Sequence, residues 1–416
     1  MTLSAPMTGW SYKKLDELGY VGRGKSRHRP RNDPSLYGGD YPFIQTADVK
    51  SAEFYIKNYS QTYNEKGLAQ SKLWKPGTLC ITIAANIAET AILGIPACFP
   101  DSIVGFMADP EKADVRFVKY YIEYIKLKMQ NISRGTTQDN LSLDKLLTFD
   151  ILAPPLPTQR KIAAILSAHD DLIENNTRRI KILEEMAQAL YREWFVHFRF
   201  PGHEKVRMVD SPLGRIPEGW EVKLLGEIAQ EMRRSVMPDQ IDPETPYIGL
   251  EHLPRKSIAL SEWGKAKAVK STKLVFKRGD ILFGKIRPYF HKVGVAPIDG
   301  VCSSDTIVIA PKMQDYFSIV LACVSSEEFV KYATQTSKGT KMPRADWVVL
   351  RNYPVLVPPL PLFQLFDHFI RDSLDQIQNL IFQTNSLRRT RELLLPKLIS
   401  GEVDTLEDDI KQGVQY

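Results

Sequence analysis

The chain has 416 residues, of which 43% are hydrophobic and 25% charged, and its formal net charge is +6. This composition excludes a disordered or fibrous chain and indicates a globular protein of two or more domains. The first 25 residues contain no apolar signal core, and polar residues and Pro96 interrupt the most apolar stretch, residues 79–99. We therefore expect a protein that does not enter a membrane.

The four cysteines lie far apart, at positions 80, 98, 302 and 323, and none forms a Cys-x-x-Cys pair. Such spacing in a long chain argues against a disulfide framework and against a zinc site. We expect a cytoplasmic protein in which Cys98 and Cys302 are core residues, and we expect no metal site.

Residues 1–157 are predicted to form a first globular domain of mixed α/β type. Short apolar runs such as residues 79–83 are separated by glycine and proline, which is typical of strands. The stretch 115–129 has the pattern of a helix.

Residues 19–26 read Gly-Tyr-Val-Gly-Arg-Gly-Lys-Ser and match the phosphate-binding loop pattern G-x-x-x-x-G-K-[ST]. That loop needs a buried strand before it and a helix that begins at the lysine. The preceding residues are too charged for such a strand, and Pro30 and Pro34 would break the helix. We interpret this stretch as a basic loop instead of a nucleotide site.

The basic residues continue beyond this stretch without an acidic residue before Asp33. They are Arg23, Lys25, Arg27, Arg29 and Arg31. Interleaved glycine and proline predict a loop that can lie along a DNA groove and neutralise phosphates. The alternative is a solvated loop that binds nothing.

Residues 158–199 are predicted to form a first long helix, because apolar residues recur at alternating steps of four and three. Residues 200–214 are rich in glycine and proline and indicate a linker.

A second mixed α/β domain is predicted at 215–361, with strands at 280–283 and 306–309 and a helical stretch at 317–334. A second long helix follows at 362–405, which Pro396 is expected to end or kink, and a tail at 406–416.

The second half of the chain repeats the first at an offset of 204 residues. Pro-Pro-Leu-Pro at 154–157 recurs at 358–361, Ser-Arg-Gly-Thr at 133–136 recurs as Ser-Lys-Gly-Thr at 337–340, and Cys98 corresponds to Cys302. Near the start of each copy the offset drifts to 210, where Gly-Trp recurs. The second copy of the phosphate-loop stretch, at 229–236, has lost its glycines, which argues further against an ATPase.

Two such helices, separated by a whole domain, are predicted to pair antiparallel as a coiled coil, with an internal pseudo-twofold repeat. The apolar seam positions are Ile162, Leu166, Ile173, Ile180, Leu183, Leu190, Phe366, Ile370, Ile377, Leu380, Leu387 and Leu394. His169, Asn176 and Arg391 are polar seam positions that set the register or contact a partner. The alternative for these polar residues is that they lie at an exposed edge of the seam. The alternative to the pairing of the helices is that each helix packs on its own domain or on another protein.

The duplicated domains, the Gly-Trp starts, the Gly-Thr-Thr-Gln at 135–138 and the Pro-Pro-Leu-Pro before each helix resemble the specificity subunit of type I restriction–modification systems. The resemblance covers nearly the whole chain. The second copy departs from it, because Gly-Thr-Lys-Met stands at 339–342 in place of Gly-Thr-Thr-Gln. This departure puts a shared role for Gln138 in doubt.

The resemblance implies that each domain recognises one half of a bipartite target in double-stranded DNA, with the helices setting the spacing. It also implies docking of two methyltransferase (modification) subunits and of motor–nuclease (restriction) subunits. S-adenosylmethionine would bind to the methyltransferase subunits, and ATP with Mg²⁺ would bind to the motor–nuclease subunits. We therefore expect no cofactor on this chain.

Motifs for catalysis are missing or weak. Neither Pro-Pro pair fits the [DN]-P-P-[YF] motif of an amino-methyltransferase. A metal-dependent nuclease needs an Asp followed by a Glu-x-Lys pair. Such a pair is present at 221–223, but the Asp before it, Asp210, lies in the predicted linker. We expect a non-catalytic subunit. The alternatives are a nuclease or ATPase in its own right, which would use residues 19–26, and a scaffold that does not bind DNA.

Basic residues and Gln138 are the candidates for DNA contact, since arginine pairs with guanine and glutamine with adenine. The set is Arg23, Lys25, Arg27, Arg29, Arg134, Gln138, Arg233, Arg234, Lys285, Arg287, Lys338, Lys341 and Arg344. The alternative for Gly135 and Gly339 is a turn that the chain needs before the helix.

Overall fold

The order of strands and helices repeats along the chain. The structure, a computed structural model, describes residues 9–84, 86–134 and 141–403, with the side chains of 132–134 left out. No helix in these ranges is long and apolar enough to cross a membrane.

The first domain contains eleven strands among the described residues. They are β1 (Ser11–Lys13), β2 (Gly19–Arg23), β3 (Tyr37–Phe43), β4 (Tyr55–Ile56), β5 (Gln61–Tyr63), β6 (Leu73–Trp74), β7 (Leu79–Thr82), β8 (Thr90–Leu93), β9 (Ala97–Cys98), β10 (Ile103–Ala108) and β11 (Ile151–Ala153). Its helices are α1 (Thr46–Ser51), α2 (Glu65–Ala69), α3 (Val115–Arg134) and α4 (Leu143–Leu147). The first long helix, α5, is Leu156–Tyr191, and a π-helical turn follows at Arg192–Val196.

The second half begins with a hairpin and continues with the same kinds of elements. Its strands are β12 (Met208–Ser211), β13 (Gly214–Pro217), β14 (Glu221–Leu224), β15 (Ala229–Glu231), β16 (Ser235–Val236), β17 (Pro246–Ile248), β18 (Gly264–Lys265), β19 (Lys273–Phe276), β20 (Ile281–Gly284), β21 (Val293–Val295), β22 (Gly300–Cys302), β23 (Thr306–Pro311) and β24 (Pro354–Val357). Its helices are α6 (Leu225–Ile228), α7 (Phe317–Val324), α8 (Glu327–Gln335), α9 (Trp347–Leu350) and the second long helix, α10 (Leu360–Ser400).

The sheet topology is duplicated, which confirms the predicted internal repeat. The order β2-β10-β7-β8 in the first domain corresponds to β15-β23-β20-β21 in the second. The order β3-β9-β6 corresponds to β17-β22-β19, and β3·β9 and β17·β22 are both parallel pairs. The pair β1·β11 at the base of α5 corresponds to β14·β24 at the base of α10. Cys98 and Cys302 are fully buried.

The two recurring motifs touch each other. Gly9 and Gly219 both have φ of +86°, a conformation that favours glycine. A Cβ on Gly9 would lie 3.2 Å from Cγ of Pro155, and one on Gly219 would lie 3.5 Å from Cγ of Pro359. The Gly-Trp start of each domain therefore packs against the Pro-Pro that precedes each long helix, which explains why both motifs recur together.

The described residues form two compact units, and each unit takes part of both long helices. The first unit comprises the described residues of Met1–Glu174 and Ser386–Tyr416, and the second comprises Asn175–Asn385. In the first unit the beginning of α5 packs against the end of α10. In the second unit the end of α5 packs against the beginning of α10. This order is the antiparallel pairing that the heptad pattern predicts.

Each unit has a main core that joins its domain to the helices. In the first unit Ile162 and Leu166 of α5 share a core with Leu398 and Ile399 of α10 and with strands β7 and β10. In the second unit Trp194 and Phe366 are part of a core that includes β20, β23 and α7. All twelve predicted apolar seam residues are buried or half-buried.

The predicted bounds of both long helices and of the linker differ from the structure. The long helices begin earlier than 158 and 362, at Leu156 and Leu360, because proline fits the first turn of a helix. The helices also end before the predicted residues 199 and 405, since α5 is followed by the π-helical turn at Arg192–Val196 and α10 ends at Ser400. Pro396, which was expected to end or kink the second helix, does not end it. The missing N–H removes a single hydrogen bond, and the helix continues to Ser400. The predicted linker 200–214 contains strand β12, which pairs with β13. Residues 406–416 lie outside the described residues.

Candidate DNA interface and helix junctions

The basic segment of the first domain, Arg23 to Arg31, begins at the last residue of the edge strand β2, so the predicted loop is wrong for residues 19–23, which form this strand. The chain stays extended there because the N–H groups of Gly24 and Lys25 donate to the carbonyls of Ile103 and Phe99, at 2.9 and 3.0 Å. Exposed and buried side chains alternate in this backbone. The exposed residues are Arg23, Lys25 and Arg27, and the buried ones between them are Gly24 and Ser26.

The five arginines and lysines of this segment are not equivalent. The guanidinium of Arg29 donates to the carbonyls of Ser26 and His28, at 2.6 and 2.8 Å, and Arg31 forms an ion pair with Asp101 at 2.6 Å. Arg23 donates to the carbonyl of Asp101 at 2.5 Å. Within the described ranges, the side chains of Lys25 and Arg27 form no hydrogen bond and no ion pair, although the Lys25 backbone is hydrogen-bonded. These two are the cations of the segment available to an anionic partner.

The phosphate-loop interpretation also fails on geometry. Residues 24–29 form neither helix nor strand, so no helix dipole faces the position of a phosphate. Gly24 packs against the backbone, because a Cβ there would lie 2.2 Å from the carbonyl oxygen of Pro100. Ser26, the residue that would hold Mg²⁺ in such a loop, is buried beside Tyr63.

Sequence reasoning missed an aromatic group next to this segment. The Lys72 ammonium lies 3.6 Å from the ring centroid of Trp74 and 4.5 Å from that of Tyr20. Tyr20 is 52% exposed and is part of the same strand as Arg23. The sequence did contain a signal for this group, because Tyr20 alternates with basic residues in the same stretch, and surfaces of this kind contact DNA sugars and bases.

In the second domain, two predicted segments that are distant in sequence lie side by side. Lys338 and Arg344 close a tight loop through reciprocal backbone hydrogen bonds of 3.0 and 2.9 Å. The N–H of Arg287 donates to the carbonyl of Pro343 at 2.8 Å, and the N–H of Ala345 donates to that of Lys285 at 2.9 Å. We call the resulting surface the basic loop pair, defined as residues 285–292 and 338–344.

The loop pair adjoins a shallow groove of about 310 Å³, lined partly by Arg287, Phe290, Lys292 and Met342. The guanidinium of Arg255 lies 4.1 Å from the centroid of the Phe290 ring. Burial, followed by the nearby Arg255, lowers the pKa of Lys292. Arg255, Phe290 and Lys292 were not predicted from the sequence, because Arg255 joins the others only through the tertiary fold.

The loop pair presents cations together with apolar side chains. Lys338 and Lys341 are exposed, and Arg344 lies 3.5 Å from Asp305 while remaining 54% exposed. Tyr289 and Met342 are 51% and 47% exposed. This arrangement can neutralise phosphates and place apolar groups against sugars or thymine methyl groups.

The remaining predicted contacts are less well placed or not described. Arg233 forms an ion pair with Glu231 at 2.6 Å. Arg234 is exposed and lies near Asp280, whose pKa is raised mainly by burial. Gln138 and the side chain of Arg134 lie outside the described residues.

Polar contacts join the domains to the long helices. In the first unit Tyr120 donates to Asp170 of α5 at 2.5 Å, and Arg391 of α10 forms an ion pair with the same carboxylate. In the second unit Glu184 of α5 accepts hydrogen bonds from residues 257–259 of the second domain. Arg391 therefore joins the two helices through an ion pair, and its role in setting their register stays a prediction.

No cluster of three or more histidine, cysteine or acidic residues that could hold a metal occurs in the described ranges. All four cysteines are buried, and burial raises the pKa of Cys302 to about 12. At neutral pH this thiol is protonated, which is typical of a core residue.

Comparison with known proteins gives a consistent result. Residues 7–185 match the sequence model of the type I restriction modification DNA specificity domain. The chain is 28% identical over 412 residues to the type I restriction enzyme MjaIX specificity subunit of Methanocaldococcus jannaschii, covering 95% of this chain and 93% of the relative. It is 23% identical over 432 residues to the EcoDI specificity subunit of Escherichia coli, covering 95% and 88%.

The fold is similar to the crystal structure of a type I restriction-modification S subunit from M. genitalium. The TM-score is 0.61 at 14% sequence identity, with 96% of this chain and 98% of that chain covered. The domain match shows that residues 7–185 belong to the DNA specificity domain of type I restriction–modification systems, and along nearly its whole length this chain is similar to the specificity subunits of those systems.

Proposed function

We propose that the chain supplies DNA sequence specificity to a type I restriction–modification complex and catalyses no reaction itself. Each domain reads one half of a bipartite target in double-stranded DNA. The observation that carries this proposal is the basic loop pair, where segments about 50 residues apart in sequence form one surface of exposed cations and apolar side chains.

The chemistry of the two domains suits this division. In the second domain Lys338 and Lys341 would contact phosphates, while Arg287 or Arg344 would pair with a guanine edge. In the first domain Lys25 and Arg27 would contact phosphates, and Tyr20 would pack on a sugar or a thymine methyl group. The first surface adjoins strand β2, and backbone hydrogen bonds join the two loops of the second, so both would keep their register on the duplex.

The long helices are proposed to carry the partner subunits. Two methyltransferase subunits would dock on them, and motor–nuclease subunits would join the complex. Exposed apolar side chains on the helices support this: Leu172, Ile182, Met186, Leu365 and Leu393 are 46–60% exposed. S-adenosylmethionine, ATP and Mg²⁺ would bind to those partners and not to this chain.

Sequencing the methylome of the host with and without this gene tests the function. One bipartite motif should lose its methylation on deletion and regain it on complementation. A methylome that is the same in both strains would refute the proposal.

The affinity of the assembled complex for its DNA target is expected to depend steeply on salt. If the two domains neutralise six to ten phosphates, the affinity should fall by about 10³–10⁵-fold between 50 and 200 mM salt. Fluorescence anisotropy with a labelled duplex at several salt concentrations measures the slope. A shallow slope, equivalent to one or two phosphates, would count against both domains binding the backbone.

The long helices are also proposed to set the gap between the half-sites. A heptad inserted into each helix, after Glu174 in α5 and after Asn385 in α10, keeps the seam on the same face and leaves each unit's internal contacts intact. Seven residues add about 10 Å at 1.5 Å per residue, or roughly three base pairs of DNA.

Methylation mapping should then find both half-sites unchanged and a longer gap. The same heptad inserted after Gly202, in an exposed turn outside the helices, is the control and should leave the gap as it is. Changed half-sites with an unchanged gap would exclude a spacing role for the helices.

A further inference from the structure

The second unit contains a cavity of about 460 Å³ that has no assigned role. Its walls come from the end of α5, the beginning of α10, α7 with the residues that follow it, and residues 256–258. Ile370, Leu374 and Ile377 of α10 form an apolar side, and Glu184 and Tyr191 of α5 contribute polar groups. The other charged or titratable residues of the lining are Arg192, Lys256, His291, Glu327 and Glu328, of which Lys256 and Glu327 form an ion pair of 3.0 Å with each other. A cavity of this size and mixed lining suits a small organic molecule.

Glu184 is a buried carboxylate with one unused oxygen. Its residue is 8% exposed. Oε1 accepts three hydrogen bonds, from Oγ of Ser257 at 2.7 Å and from the N–H groups of Ile258 and Ala259 at 2.7 and 3.0 Å. In the described part of the chain, Oε2 has no donor and no cation within ion-pair distance. A buried carboxylate without a counter-charge is costly, so burial raises the pKa of Glu184.

The repeat shows which group is missing from this place. The residues 204 positions from Ala187 and Leu374 are Arg391 and Asp170. In the first unit these two form an ion pair, and Tyr120 donates to the same carboxylate. The second unit has alanine and leucine instead and leaves a cavity. An arginine side chain in the first unit therefore stands at the position where the second unit has only the methyl group of Ala187 beside the cavity.

We propose that the cavity binds an organic cation with an apolar body and a guanidinium, amidinium or ammonium head, which donates to Oε2 of Glu184. The apolar body lies against Ile370, Leu374 and Ile377. The hydroxyl of Tyr191, which has no partner within the described ranges, provides a second polar contact at the wall. The site does not depend on DNA binding, so its test and that of the proposed function are separate.

Benzamidine, a small aromatic amidinium, is the probe for the full-length chain, with binding measured by isothermal titration calorimetry in the absence of DNA. The neutral analogue benzamide should bind at least about tenfold more weakly, because it lacks the positive charge that strengthens a hydrogen bond to a carboxylate. E184Q, which keeps an acceptor for Ser257 and its neighbours, should weaken benzamidine binding by a similar factor.

A187R introduces the arginine of the first unit and should abolish benzamidine binding by filling the cavity. A189R, on the exposed face of the same helix, is the matched control and should leave binding unchanged. Binding should also be lost on acidification through the raised pKa of Glu184, above the range of an exposed glutamate.

If E184Q does not fold, the comparison of A187R with A189R and of benzamidine with benzamide still decides the matter. Failure of the wild-type chain to bind benzamidine, equal affinity for benzamide, or full binding by A187R would each overturn the proposal.

Discussion

The triple variant K338A/K341A/R344A is expected to bind the target DNA at least about 100-fold more weakly than the wild type. All three side chains are exposed on the basic loop pair. The hydrogen bonds that close the loop between Lys338 and Arg344 join backbone atoms, so alanine leaves the loop intact. Each lost phosphate contact should also lower the salt slope by about one, and the loss of an arginine–guanine pair should relax specificity at one base.

The matched control removes the same charge elsewhere in the second unit. Lys205, Arg207 and Lys331 are exposed and lie outside the loop pair, so K205A/R207A/K331A should change the affinity by less than the triple variant does. Fluorescence anisotropy with the target duplex and with a duplex changed in one half-site compares the variants. Equal losses in both variants would mean that net charge alone, and not this surface, governs binding.

Much of the fold could be predicted from the sequence, because heptad spacing is a local pattern and the duplication presents each pattern in two copies. The repeated Pro-Pro-Leu-Pro and Gly-Trp located both helices and both domain starts, and the structure shows why they recur, since Gly9 contacts Pro155 and Gly219 contacts Pro359. Spacing alone could not give the hairpin of β12 and β13, because Pro212 and Gly214 suggest a linker as readily as a turn.

The candidate interface was predictable only in part. The sequence identified Lys285, Arg287 and Lys338 as separate basic residues, but their proximity depends on backbone hydrogen bonds between distant segments. Arg255 could not be assigned to this surface without the fold. In the first domain the sequence could not distinguish Lys25, which is free among the described residues, from Arg31, which is paired with Asp101.

The polar junction of the first unit shows the same limit. The heptad pattern placed Arg391 in the seam, but its partner Asp170 lies just outside the pattern, one residue after His169. Which residues of two antiparallel helices face each other depends on their relative register, and no local signal fixes that across about 200 residues of intervening chain. The ion pair and the Tyr120 hydrogen bond therefore had to come from the structure.

D170A is expected to destabilise the first unit strongly, on the order of 3 kcal/mol, because it removes the acceptor for two groups at once. Arg391 would lose its ion pair, and the Tyr120 hydroxyl would lose its hydrogen bond of 2.5 Å. R391A should cost less, about 1–2 kcal/mol, because Asp170 keeps the hydrogen bond from Tyr120. Thermal unfolding of the full chain followed by circular dichroism ranks the variants. For a unit of roughly 200 residues, each kcal/mol lowers the Tm by about 2–4 °C.

The double variant D170A/R391A separates the ion pair from the packing around it. If the pair couples the two helices, the double variant should lose less stability than the sum of the single variants, by at least about 1 kcal/mol. The exposed pair Lys181–Glu185, 3.8 Å apart on one face of α5, is the matched control, and E185A should cost less than about 0.5 kcal/mol. Strictly additive losses for Asp170 and Arg391 would show that the contact between the helices adds no stability. In that case the apolar seam alone would hold the beginning of α5 against the end of α10, as it does where Ile162 and Leu166 meet Leu398.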